Sequence, residues 1–198
     1  MLEIDIKPNI LDRSRKLLLN SDFIEFDDTN WDTDTVARFN KGEVEAIRFG
    51  IKFLKGYTFT IGRTFCIDIK GPNDRNIKIR MTSFYGIRKQ ALDEKYCLII
   101  NTFMDTHHND IVNRAIKVLN SEGKFEVLKT TFDKEGIVIK NKVIHWEDVG
   151  TKAYKTYYTL FSKSDPKIYK SYSYMDDWNA ILVYTLSRRI LSGKGLLE

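Results

Sequence analysis

Residues Gly123–Gly150, GKFEVLKTTFDKEGIVIKNKVIHWEDVG, set the terms for the rest of the chain. Apolar residues alternate through Phe125 and Val127 and again through Ile137 and Ile139, and a third run, Val143–Trp146, follows. A side-chain period of two belongs to a strand with one buried face, because successive Cβ atoms point to opposite sides. Asp133-Lys134-Glu135-Gly136 supplies turn chemistry between two of these runs. The stretch therefore reads as strand, turn, strand, turn, strand, and it opens directly after a long helical segment. It marks a second unit. The sequence divides into residues 1–122, with an N-terminal arm, strands and a long helix, and residues 123–198.

Composition agrees with paired sheets. At 198 residues the chain accommodates two domains of about 100 residues each. Aromatic residues make up 13% and there are only three prolines, which suits strands better than a disordered chain. The net charge of +5 comes from 32 Lys and Arg against 27 Asp and Glu, and the two signs are interspersed. No basic run of five or more occurs, so no nucleic-acid partner is expected. The charged N-terminus lacks an apolar leader core, and no segment has the roughly 18 apolar residues of a membrane span. Cys66 and Cys97 form no CxxC motif and are expected as two buried thiols. These features together imply a cytoplasmic protein.

In the first half, Leu2, Ile4 and Ile6 alternate as an edge strand or arm. Lys16–Leu19 and Phe23–Phe26 flank the polar turn Asn20-Ser21-Asp22. An acidic loop, FDDTNWDTDT, precedes the run Glu43–Phe53, where Gly50 predicts a bulge or bend and Phe49, Ile51 and Phe53 are expected on a buried face. Tyr57–Ile61 and Phe65–Ile69 read as two strands broken at Gly62-Arg63. Ile77–Met81 returns after the turn Gly71–Asp74. Arg88–Glu122 contains no Gly or Pro, and Leu92, Tyr96, Ile99, Phe103, Ile111, Ala115 and Val118 keep helical spacing. A break is expected near His107–Asp110. The second half continues through Tyr154–Ser162 and Ile168–Tyr174 into a final helix with Asp176 and Asp177 in its first turn.

The halves share an order. KLLLNSDFIEF matches KTTFDKEGIVI, Ile47-Arg48-Phe49 stands where Ile144-His145-Trp146 stands, and aromatic strands, a Pro-containing turn, a last strand and a helix follow in both. Phe132, Gly136, Ile137, Ile139, Ile144, Trp146, Asp148 and Trp178 carry a resemblance to bacterial pleckstrin-homology-like (PH-like) domains, close over 124–192 and loose over 16–121. The resemblance implies an α+β fold: antiparallel PH-like barrels or sheets, each capped by a C-terminal helix, in tandem repeat. It implies non-catalytic binding modules, with Trp146 and Trp178 as core anchors. Phosphoinositide-binding members gather Lys and Arg around their first hairpin. The turn read as corresponding here, Asp133-Lys134-Glu135-Gly136, is net acidic and argues against a lipid ligand.

Motifs for chemistry are sparse. His107-His108 lie about 100° apart on a helix, the wrong spacing for two ligands of one metal. An EF-hand read from Asp28 fails at its sixth position, Thr33, and its twelfth, Phe39. There is no GxSxG, P-loop or GxGxxG. No catalytic residue, metal or cofactor is therefore expected. Glu147 and Asp148 read as a strand end whose carboxylates accept backbone N–H groups or pair with a neighbouring Lys. The candidate partner-binding residues are Asp28, Asp32 and Asp34 in the acidic loop, and Lys70, Lys78 and Arg80 on an outward, solvated sheet face with Arg63 near. The expected partner is another protein. A protein that neutralises a cognate toxin and a peripheral membrane-surface module are the alternatives.

Overall fold

The computed structural model describes residues 1–9, 11–27 and 36–197. The protein is α+β, with four antiparallel sheets. It divides into two compact units, Met1–Asp110 and Ile111–Glu198, where the sequence reading placed the division at 122/123.

The first unit opens with strands β1 (Leu2–Ile6), β2 (Arg15–Leu19), β3 (Phe23–Phe26) and β4 (Ala37–Asn40), paired in chain order. Register explains the core face: Leu17 faces Phe26, and Leu19, Ile24 and Phe39 form one row, all buried. A second sheet of β5 (Ala46–Lys55), β6 (Thr60–Lys70) and β7 (Asn76–Phe84) follows. Its inner row pairs Ile47 with Ile69 and Ile77, and Phe49 with Ile67 and Ile79. Helix α1 (Lys89–Phe103) buries Leu92, Tyr96, Ile99 and Phe103, with Tyr96 packed 5.3 Å from the Phe65 ring. A π turn, Met104–His108, then leads into α2 (Asn109–Glu122). The expected break thus occurs, as an inserted residue and not as a stop.

The second unit contains β8 (Lys124–Val127), β9 (Thr130–Asp133), β10 (Gly136–Ile139) and β11 (Lys142–His145), again a meander. Phe125, Phe132, Ile137 and Ile144 share one row. The 3-10 turn Trp146–Asp148 leads into β12 (Val149–Ala153), β13 (Tyr157–Ser162) and β14 (Tyr169–Ser173), then helix α3 (Ala180–Gly193). Two buried hydroxyl pairs hold this core: Thr130 with Tyr172 at 2.6 Å, and Tyr158 with Ser187 at 2.7 Å. A four-stranded meander, a three-stranded meander and a helix therefore occur in that order in both halves of the chain.

Several local expectations need correcting. β6 runs unbroken through Gly62, because a side chain there would stand 2.5 Å from the Ser83 carbonyl and glycine alone permits the pairing. Gly50 sits in regular register opposite Cys66, and the irregularity falls at Leu54/Lys55. β4 completes the first sheet, so Ile47, in β5, follows the element that matches β11; it does not stand where Ile144 stands. Asp176 and Asp177 precede α3 in a turn, where Asp177 accepts the Ser173 N–H. Trp146 is 1% exposed, its indole donating to the Asp133 carbonyl, whereas Trp178 is only half-buried. Cys66 is buried but Cys97 is exposed on the outer side of α1.

Candidate functional site

Asp28, Asp32 and Asp34 lie outside the described residues. The other four candidates divide between two faces. Strand alternation puts Lys70, Lys78 and Arg80 on the outward face of the β5–β6–β7 sheet, as expected. Arg63 falls on the opposite parity, with Phe65 and Ile67, and its guanidinium lies 5.4 Å from the centroid of the Phe53 ring.

The outward face is less solvated than its polarity implies. Asp68 lies at its centre, 4% exposed, and is ion-paired to Arg48 at 2.9 Å and to Arg80 at 2.5 Å. Cys66, one row away, is 4% exposed, and burial pushes its thiol pKa up. The guanidiniums of Arg48 and Arg80 neutralise the buried carboxylate, and Arg80 also donates to the Ile67 carbonyl. Lys70 pairs with Asp74 at the sheet end, and Lys78 stays exposed. Arg80 is thus occupied in holding Asp68, which leaves Lys78 as the freest cation of the expected set.

The far end of the same sheet differs. β5 and β6 are 10 and 11 residues long, and beyond Ile51 their side chains leave the core. Phe53, expected to be buried, is 56% exposed. The Gly56 N–H closes the hairpin on the Phe59 carbonyl, and Tyr57 and Phe59 stand free at its tip. The Tyr85 N–H bonds the Ile61 carbonyl, bringing the β7–α1 loop beside this hairpin.

His107, on the π turn, is 1% exposed and packs 5.7 Å from Phe103. Burial lowers its pKa, against hydrogen bonding to the backbone of Asn20 and Phe23 and the nearby Asp110 carboxylate, which favour the charged form. Among the described residues no group of three or more His, Cys, Asp and Glu is placed to hold a metal. Both adjacent histidines of the π turn are buried.

The second unit carries a cleft of about 480 Å³ on the outward face of its four-stranded sheet, floored by Thr131 and Val138 and walled by Lys129, Lys140, Lys170 and Glu126. Two hairpin turns form its rim. Leu128-Lys129 and Lys140-Asn141 each join their strands with both residues at positive φ, between 51° and 62°. Such backbone is costly for side chains other than Gly and Asn. Lys170 spans the first turn, donating to the carbonyls of Leu128 and Lys129. Its pKa is lowered, first by burial and then by the neighbouring Lys129 and Lys140. The cleft is not legible in the sequence, where Asp133–Gly136 reads as the unit's first hairpin. That turn joins β9 to β10; the first hairpin is the Leu128-Lys129 turn, and its neighbourhood is cationic.

No protein family, curated protein or solved structure matches this chain. Among the described residues, no helix is long and apolar enough to cross a membrane.

Proposed function

We propose that this chain is a non-catalytic binding protein built of two PH-like units, and that its partner is another protein. The recurring order of four-stranded meander, three-stranded meander and helix supports the PH-like reading. The observation that carries the binding role is the lysine-walled cleft at the strained Leu128-Lys129 turn. Three ammonium groups around an apolar floor suit an acidic segment whose carboxylates meet the lysines while an apolar side chain covers Thr131 and Val138.

Lys129 and Lys140 are exposed, so their reversal to Glu leaves the core untouched. Affinity capture with the wild-type chain and with Lys129→Glu/Lys140→Glu, followed by mass spectrometry, tests the reading. A protein retained by the wild type and lost from the double variant is the expected result. A partner retained equally by both removes the cleft from the interface. A secreted toxin among the captured proteins would identify the chain as its neutralising partner.

A further inference from the structure

The tip of the β5–β6 hairpin and the adjoining β7–α1 loop combine two properties that rarely meet without a reason. They expose large apolar side chains: Phe53 is 56% exposed, Tyr57 wholly, Phe59 60%, Tyr85 74% and Ile87 52%. Isolated exposed apolar residues are common, but a group of them on one projection marks a contact surface. Their surroundings also carry one sign of charge. From Ile51 to Phe65 there are three cations and no carboxylate, and from Met81 to Leu92 there are two and none. Pairing brings the two segments together: Leu54, Gly62 and Phe84 share a row, and the Tyr85 N–H bonds the Ile61 carbonyl.

We propose that this projection seats the protein on an anionic lipid bilayer. Phe and Tyr rings enter the headgroup region, where an apolar body and a polar edge are both accommodated. Lys52 and Lys55 on the hairpin and Lys89 at the start of α1 meet the negative surface while their stems lie against apolar material. A projecting tip with its aromatic rings outermost and lysines flanking them presents both contacts that an anionic bilayer surface offers. The inference stands on this surface alone and is separate from the cleft of the second unit.

Flotation with phosphatidylcholine vesicles and with phosphatidylcholine–phosphatidylglycerol vesicles tests it. The wild-type chain floats with the anionic vesicles and not with phosphatidylcholine alone, and added salt weakens the association. Tyr57→Ser/Phe59→Ser binds about tenfold more weakly or worse, and Lys52→Gln/Lys55→Gln loses about fivefold for each charge removed. All four positions are exposed, and an unchanged urea midpoint verifies that the variants fold. Lys117→Gln, on the exposed side of α2, retains wild-type association. The proposal is overturned by absence of flotation with anionic vesicles, by equal flotation with phosphatidylcholine, or by hairpin variants that float as the wild type does. Loss of flotation in Lys129→Glu/Lys140→Glu alone would move lipid contact to the cleft and overturn it too. Loss of a captured protein in Tyr57→Ser/Phe59→Ser, with no flotation in any form, would make the projection a protein interface.

Discussion

At Asp68 the sheet face carries a buried carboxylate between Arg48 and Arg80, and replacing it with Asn leaves two guanidiniums facing a neutral group. Breaking a fully buried pair costs about 3–5 kcal/mol, but the two arginine side chains are 31% and 35% exposed. The expected loss is about 2 kcal/mol after solvent screening, read as a lower urea midpoint with an unchanged slope. Lys78→Gln, on the same face but exposed, should change stability by less than about 0.5 kcal/mol. Gly136 is a sharper case. A Cβ there would stand 2.1 Å from the Ile144 carbonyl, which is backbone and cannot swing aside. Gly136→Ala should force β10 from β11 and cost about 3 kcal/mol or more. Retention of the wild-type midpoint in that variant would mean that the strands pair differently.

Elements were legible where periodicity was strong and poorly legible where turns lacked their usual residues. The β8–β9 turn is Leu128-Lys129, with no Gly, Asn or Pro to announce it, and the run Phe125–Phe132 reads as one piece. Substituting Asn-Gly at these two positions places residues suited to positive φ and should stabilise the protein by about 1 kcal/mol, measured by urea unfolding. The same change removes the Lys129 ammonium and should weaken partner capture, so stability and binding move in opposite directions. Gly50 and Gly62 misled in the other direction. Both lie inside continuous strands, Gly62 because the neighbouring backbone comes too close for a side chain. The helix break near His107 was legible from its polar cluster, but its π geometry and the burial of two adjacent histidines in it were not.

For the whole molecule, stability should fall in two steps on acidification. His107 has a lowered pKa in the folded state, so the unfolded chain binds the proton first. Stability from this group is complete above its ordinary value of 6.5 and declines as pH falls below it. Asp148 accepts from the Ser162 and Ser164 hydroxyls and the Ser164 N–H, which hold its carboxyl below the ordinary range. Its contribution is lost as pH falls below about 3.9. Thermal unfolding followed from pH 8 to pH 3 should show both declines, and His107→Phe should abolish the upper one. A Tm of that variant still falling between pH 7 and pH 5 would assign the step to another group.

Alternation and helical spacing in this chain were enough to determine an α+β architecture, most strand positions and the inward rows at Phe65–Ile69, Ile77–Met81 and Ile137–Ile139. These follow from local rules, since period and turn chemistry act within a few residues. Register, and burial outside those rows, followed from tertiary structure alone. Arg63 was expected beside Lys70, Lys78 and Arg80, but strand parity places it on the other face. Asp68 and Cys66 sit on a polar face yet are buried, Asp68 between the guanidiniums of Arg48 and Arg80. Tyr57 and Phe59 have the composition of core residues but stand exposed, because β5 and β6 run past the layer that would have buried them. The lysine cleft joins residues from four separate strands and two turns. No property of those residues along the chain places them together, because pairing between strands distant in sequence is set by the packing of the whole sheet.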